Sequence, residues 1–389
     1  MQTHLTAPSY PNVAMVQADD YSQQTIERAV RRVFAELEIS PELFRDKNVL
    51  VKPNLLMRRR PEEATTTHPQ VMRAVILRLQ EMGAKQVVIA DSPGGLYTPA
   101  QLRSIYSACG MQQVAEETGA LLNLETGSAH VSARDPKMCT EFNLIDPVRQ
   151  ADVIVSVGKL KTHCMTGLSG GVKNLFGCIP GLQKPQLHYR YQNRDDFCSM
   201  LVDLAQTVAP VLTVMDAVES MEGDGPSGGT IRHTGCLIAC TDPFCLDLFL
   251  CDLIAMKHSQ VPTVQQSIAR GLCPSLAEEL VLINPDSLPT RIPDFRHPQS
   301  KTVDFSGNVP GFLRPLVRQA ARAFPKTGGG PPAVHRLRPV LRELPVPGHP
   351  HRAGQGPHPL QALHPLLLLP RDVPGEGHPH PRPSLKGGI

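Results

Sequence analysis

The sequence predicts an α/β protein with a mainly parallel sheet covered by helices on both faces. Two observations carry this reading: short runs of nearly continuous Val, Ile and Leu, and amphipathic segments of helical period between them. Strands buried on both faces read as unbroken apolar runs rather than alternations, and the intervening helices supply the crossovers. A third observation sets the limit of the domain. From Pro331 to Ile389 there is no Phe, Tyr, Trp or Cys and only three acidic residues, yet the segment holds 14 of the 38 prolines and 7 of the 15 histidines. Such a stretch lacks the apolar surface to build a core. Residues 1–325 are therefore expected to form the α/β domain, in one lobe or two, and residues 326–389 a disordered Pro/His/Leu-rich tail.

The elements follow in order. Residues 25–38 carry apolar side chains at helical spacing. Asn48-Val-Leu-Val-Lys-Pro53 reads as a buried strand with its exit. A helix from Pro69 to Met82 is closed by Gly83, and the strand Gln86–Asp91 comes next. Ser92-Pro93-Gly94-Gly95 turns the chain toward a helix near Pro99. Further strands are expected at 152–157, 211–216 and 236–240, and helices at 196–208 and 243–256, the last capped by Asp242. Ligands of parallel sheets gather beyond the carboxyl ends of the strands. Lys52 and Asn54, Asp91 and Ser92, Lys159 and Lys161, and Asp216 and Glu219 all fall there, which predicts one convergent polar site.

Bulk properties narrow the function classes. A net charge of +3 with no dense Lys/Arg run gives no reason to expect nucleic acid, and Arg58-Arg59-Arg60 reads as a solvated loop. No apolar stretch approaches the ~20 residues of a membrane span. The region of Met1 has no charged-then-apolar secretory pattern. Ten cysteines lie between Cys109 and Cys273 without paired metal-type spacing, so they read as reduced cytoplasmic thiols.

The densest chemistry lies in Gly158-Lys-Leu-Lys-Thr-His163 and in Thr166-Gly-Leu-Ser-Gly-Gly-Val-Lys-Asn-Leu-Phe-Gly177. Lys159 and Lys161 alternate, so on extended chain their ammonium groups point the same way. Thr162, Lys173 and Asn174 add donors, glycines admit a close ligand, and a helix starting near Ser169 would favour an anion at its N-terminus. Lys184 and His188 continue the cationic character. A pocket for phosphate or carboxylate is favoured over a solvated basic loop. Neither a Walker loop nor a Gly-x-Gly-x-x-Gly follows a strand, so nucleotide-loop binding has no support. Asp216, Glu219, Glu222 and Asp224 sit on a Gly-rich stretch as acid, base or hard-cation candidates, although an ordinary acidic loop is the better reading for metal. His68 and His163 are candidates for proton transfer, their pKa lowered by neighbouring lysines.

Val-Lys-Pro-Asn at 51–54, Thr-His-Pro at 67–69, Asp-Ser-Pro-Gly at 91–94, Lys-Leu-Lys-Thr-His, Val-Lys-Asn-Leu-Phe-Gly, Met-Glu-Gly-Asp-Gly-Pro and Asp-Pro-x-x-x-x-Asp occur in order. In these motifs the chain resembles the domain-of-unknown-function 362 family. The resemblance implies an α/β domain followed by a ferredoxin-like segment with two [4Fe–4S] clusters. As written, the tail has no cysteine, so no metal ligand is expected in this chain.

The departure has a reading of its own. A CTG or GTG codon followed by a codon starting with C contains TGC, a cysteine codon, one base later. Leu or Val precedes such residues at Val334, Leu337, Val340 and Leu344, which is the ferredoxin spacing Cys-x-x-Cys-x-x-Cys-x-x-x-Cys-Pro. Leu363, Leu366, Leu369 and Val373 repeat it. A one-base slip between Phe324 and Ala333 would thus hide both cluster motifs, and the frame-corrected parent is expected to hold two [4Fe–4S] clusters. The first functional expectation is an oxidoreductase lineage acting on a small anionic substrate. Lys52, Asn54, Asp91, Ser92, Lys159, Lys161, Thr162, Lys173 and Asn174 would bind it, with His68 or His163 as proton donor and Asp216 or Glu222 as base or cation ligand. A redox partner protein would complete such a system. The alternatives are a non-redox transferase or isomerase, and an electron-transfer or assembly partner without its own substrate.

Overall fold

A computed structural model describes residues 10–300. The chain runs through β1 (Val13–Gln17), α1 (Gln23–Glu36), β2 (Asn48–Lys52), α2 (Pro69–Glu81), β3 (Gln86–Ile89), α3 (Pro99–Ala108) and α4 (Met111–Thr118). It continues through β4 (Leu121–Leu122), β5 (Ser128–Ser132), β6 (Glu141–Ile145), α5 (Asp146–Gln150), β7 (Val153–His163), β8 (Gly167–Leu168) and α6 (Gly171–Asn174). The last elements are α7 (Gln183–Arg190), α8 (Arg194–Val208), β9 (Leu212–Glu222), β10 (Thr230–Cys240), α9 (Pro243–Leu253), α10 (Pro262–Ala269) and β11 (Leu282–Ile283).

The main sheet is ordered β11-β1-β10-β9-β7-β2-β3-β4, with β8 paired to the end of β7. Within that order only β10 runs against its neighbours, antiparallel to both β1 and β9. The α/β reading with a mostly parallel sheet is therefore the fold. Neighbouring residues on a strand face opposite sides. Leu50, Ile154, Met215 and Ile238 pack against α8 and α9, while Val49, Val51, Val155 and Val214 pack against α1, α2, α3 and α4.

Local signals place the helix ends. Ser22 accepts from Thr25 N at the start of α1, and Thr98 accepts from Gln101 N at the start of α3. Asp242 accepts from the amides of Phe244 and Cys245, capping α9 as expected. Gly83, at φ +89°, ends α2 in the left-handed region that costs a side-chain-bearing residue most.

Three differences from the sequence reading matter for function. β7, β9 and β10 are eleven residues each, about twice the expected length. The basic motif lies inside β7, held by β8 and β9, rather than on an exit loop. The acidic Gly-rich stretch begins inside β9, which carries Asp216, Glu219 and Glu222, and ends in the turn of the β9–β10 hairpin, which carries Asp224. From β2 the chain moves outward to β3 and β4, then returns to β7 and moves outward the other way to β9. Strand order thus reverses between β2 and β7, and their carboxyl ends form the crevice where such sheets hold ligands. The described residues belong to the unit Met1–Phe324; the unit Pro325–Ile389 lies outside them, and with it the expected tail and its hidden cysteine spacing.

Candidate functional site

Lys52 ends β2 and Asp91 lies two residues beyond the adjacent β3. Their ion pair is 2.8 Å long, with side chains 1% and 4% exposed. Lys52 Nζ also donates to Pro53 O at 2.9 Å and Asn174 Oδ1 at 3.4 Å, and Asp91 Oδ2 accepts from Leu55 N at 3.0 Å. Asn174 Nδ2 in turn donates to Ser156 Oγ. Gly177 packs onto the pair so closely that a Cβ there would overlap Asp91 Oδ1 and lie 2.5 Å from Lys52 Nζ. Ser92 Oγ accepts from Gly181 N at 2.8 Å and Lys184 Nζ at 3.0 Å, fastening the start of α7 beside the end of β3.

A second buried pair joins β7 to β9. Lys159 Nζ lies 3.0 Å from Asp216 Oδ2 and donates to Tyr21 OH at 2.6 Å. Tyr21 OH donates to Asp216 Oδ1 at 2.8 Å, and His68 N donates to Asp216 Oδ2 at 2.9 Å. The His68 ring stacks on Tyr21 with centroids 3.6 Å apart and planes 9° from parallel. Burial and the Asp216 charge push the Tyr21 phenol far above its ordinary value, so it stays protonated and serves as a bridge. The polar residues therefore do gather at one edge of the sheet, but they divide into two ion-pair centres. Lys52 shares the face of Leu50, and Lys159 shares the face of Val155 and Val157.

Between these centres stands cationic charge without a counterion. Lys161, 1% exposed, donates to Asn54 Oδ1 at 3.0 Å and Thr65 O at 2.6 Å, so β7 is bonded to the exit of β2 across the crevice. Burial and the charges of Lys173 and Lys159 bring its pKa down to about 7. The half-buried Lys173 has its Nζ 4.9 Å from the centre of the Phe176 ring, and burial and the Lys52 charge bring it to about 8. Lys184 spends its donors on Ser92 O, Ser92 Oγ and Pro93 O, and burial brings it to about 7. Among the described residues no carboxylate lies within ion-pair distance of Lys161, Lys173 or Lys184. Five lysines thus share two carboxylates, Asp91 and Asp216.

Both candidate histidines are held neutral, and in a defined tautomer. His163 Nδ1 accepts from Met165 N at 3.1 Å and Thr166 N at 3.3 Å; His68 Nδ1 accepts from Gln70 N at 3.2 Å. A backbone N–H on Nδ1 leaves the ring proton on Nε2. Burial, then the charges of Lys173 and Lys161, holds His163 well below its usual value, and burial with the Lys159 charge brings His68 to about 4. At neutral pH each ring offers an N–H, and its lone pair is engaged with backbone.

Other expected features have internal partners. Asp247 of α9 accepts from Gly171 N at 2.5 Å and Val172 N at 3.1 Å, so the start of α6 already holds a carboxylate and does not present free amides to a ligand. A Cβ at Gly170 would overlap Asp247 Oδ1, which accounts for glycine there. Thr162 Oγ1 donates to Gly223 O at 2.7 Å, tying β7 to the hairpin turn. Glu222 accepts from Arg296 N and Nε at 2.9 and 2.7 Å, and Asp224 accepts from Gln299 N and Ser300 N at 2.8 and 3.0 Å. Glu219 pairs with His233 at 2.8 Å. Those carboxylates fasten chain segments together. Nine of the ten cysteines are buried, and no group of three or more His, Cys, Asp or Glu among the described residues could hold a metal. The thiolate set of an iron–sulfur cluster is therefore not among the described residues. No helix there is long and apolar enough to cross a membrane.

Residues 49–252 match the family model whose description is Domain of unknown function (DUF362). The chain is also 33% identical over 276 residues to the thylakoid-associated protein sll1697 of Synechocystis sp. (strain ATCC 27184 / PCC 6803 / Kazusa), covering 69% of this chain and 78% of that one. The chain belongs to the DUF362 family. Among solved structures, the DUF362 chain is similar to a Thermotoga maritima protein at 15% identity and TM-score 0.32, covering 53% of this chain and 52% of the other. It is similar to the lactate racemase apoprotein of Thermoanaerobacterium thermosaccharolyticum at 14% identity and TM-score 0.37, covering 61% and 56%. This chain thus spans little more than half the length of either solved protein.

The matched DUF362 region contains every candidate residue of the sequence reading, from Lys52 to Glu222. Tyr21 lies before it and was not anticipated, although it bridges Lys159 and Asp216. A usable signal was present: Val13-Ala-Met-Val16 is a strand, and Tyr21 follows it directly ahead of the Ser22 cap.

Proposed function

We propose that the DUF362 domain of this chain is the substrate-binding part of an enzyme acting on a small anionic molecule. Lys161 and Lys173 would hold the anionic group, with the Nε2–H of His163 as a further donor. One observation carries the reading: Lys161 and Lys173 have no carboxylate partner among the described residues, whereas the adjacent Lys52 and Lys159 each have one. Burying ammonium groups without counterions is costly, and an anionic ligand removes that cost. Their position at the strand-order reversal between β2 and β7 is where such sheets take ligands. The protein would be titrated calorimetrically with inorganic phosphate, beside a Lys173→Ala variant. Phosphate is expected to bind, and loss of the half-buried Lys173 is expected to weaken it roughly tenfold to hundredfold, the size of one charged hydrogen bond. Failure of phosphate, sulfate and citrate alike to bind or to raise the melting temperature overturns the reading.

A redox role is the second reading, supported by the repeated Leu/Val spacing at residues 334–344 and 363–373. Resequencing codons 315–389 decides it: CTG or GTG at the eight points supports an iron–sulfur parent, and other codons remove the reason for one.

A further inference from the structure

We propose that Lys161 is a nucleophile: its amine condenses with the aldehyde or ketone carbon of an anionic substrate to form an imine. The inference rests on the anion-binding reading above and adds to it a carbonyl group next to the anion.

The hydrogen-bond geometry separates Lys161 from the other lysines. Lys52 Nζ has three acceptors, in Asp91, Pro53 O and Asn174 Oδ1. Lys184 Nζ also has three, in Ser92 O, Ser92 Oγ and Pro93 O. An ammonium has three N–H bonds, so both nitrogens have an acceptor for every one of them. Lys159 faces the Asp216 carboxylate at 3.0 Å, a charged acceptor that Lys161 lacks. Lys161 has two acceptors among the described residues, Asn54 Oδ1 and Thr65 O, and neither is charged. Two N–H bonds are what a neutral amine has. With both satisfied, its lone pair is the one feature of the nitrogen left over. The surroundings favour that neutral form, since Lys161 is buried among like charges, and a desolvated lysine beside other cations is an activated nucleophile. Burial, then the charges of Lys173 and Lys159, lower its pKa from the ordinary lysine value to about 7, which enlarges the neutral fraction near neutral pH.

For a substrate with a carbonyl beside its anionic group, the half-buried Lys173 and the Nε2–H of His163 hold the anion and leave Lys161 to the carbonyl carbon. In the reaction the Lys161 lone pair attacks the carbonyl carbon, and the C=O π electrons pass to oxygen. The carbinolamine then loses that oxygen together with the two amine hydrogens as water, leaving C=N. Atoms and electrons balance without oxidant or reductant. Asn54 and Thr65 hold the nitrogen in place before attack.

Pyridoxal 5′-phosphate carries an aldehyde and a phosphate on one small ring and serves as the probe. The full chain is treated with it, reduced with borohydride and mapped by peptide mass spectrometry. Lys161 is expected to label first, to about one label per chain, with a rate half-maximal near pH 7 and suppressed at least roughly tenfold by excess inorganic phosphate. Labelling of Lys173 or surface lysines ahead of Lys161, or a rate that climbs toward pH 10, overturns the proposal. Phosphate calorimetry on the same preparation separates the two claims. If phosphate binds and Lys161 stays unlabelled, the nucleophile is lost and the anion site stands; if neither occurs, both fall.

Discussion

The Lys159 ammonium and the Asp216 carboxylate lie 3.0 Å apart with no exposure to water on either side chain. Their supporting bonds are unequal. Asp216 also receives Tyr21 OH, His68 N and, at 3.4 Å, Val218 N, whereas among the described residues Lys159 has only Tyr21 OH besides its partner. Removing the carboxylate therefore strands a cation, while removing the cation leaves a carboxylate that still has donors.

From this asymmetry, Asp216→Ala is expected to cost about 3–5 kcal/mol and Lys159→Met distinctly less. Urea unfolding of the two variants measures the difference. Equal losses, or the reverse order, would show that the Tyr21 and His68 bonds do not support the carboxylate.

The lysine excess gives a pH dependence with a defined sign. Lys161 titrates at about 7 in the fold against 10.5 ordinarily. Between those values the unfolded chain holds the proton and the folded chain does not, so the anion-free protein gains stability as pH rises through that window, by up to about 1.4 kcal/mol per unit. Phosphate affinity moves the opposite way, since the bound anion requires the ammonium form, and binding takes up protons. Urea midpoints with and without phosphate at about pH 7 and about pH 9 check both signs.

Gly177→Ala is expected to break the Lys52–Asp91 centre, because the added Cβ has no space beside Asp91 Oδ1 and Lys52 Nζ. Overpacking against a buried ion pair is expected to cost about 2–4 kcal/mol, well outside the range of an ordinary surface Gly→Ala change. A melting temperature equal to wild type would mean that the pair can shift without penalty.

The β9–β10 turn acts as a clamp on the residues that follow Phe295. Glu222→Ala combined with Asp224→Ala removes the acceptors of Arg296, Gln299 and Ser300. Cleavage by trypsin after Arg296 is expected to accelerate roughly tenfold or more, as local opening becomes easier. An unchanged cleavage rate would show that other contacts hold the segment.

Much of this was legible in the residues themselves. The Val/Ile/Leu runs located β2, β3, β7, β9 and β10, and Asp242-Pro243 announced the start of α9. Strand direction was not legible, because β10 is as continuously apolar at Cys236–Cys240 as its parallel neighbours, and burial on two faces leaves no mark of polarity. The two lysines of the basic motif read as a pair, yet one meets a carboxylate and the other does not. That difference depends on β9, where five residues from Asp216 to Met221 pass while β7 advances from Lys159 to Lys161. The acidic stretch reads as an ordinary acidic loop rather than a metal site, but that its Glu222 and Asp224 close on residues 296–300 is a contact no local pattern reveals. Asp247, 76 residues from Gly171, occupies the helix start that the glycines had marked for an anion.

Of the described strands, β1 leaves the ribosome first, yet residue 13 is paired with residues 240 and 282. Its apolar Val-Ala-Met-Val run must wait through the synthesis of nearly the whole domain before either neighbour exists. Pairings this distant along the chain slow folding and prolong the exposure of apolar strand edges. Completion of the sheet is therefore a late event that follows release of β11 from the exit tunnel.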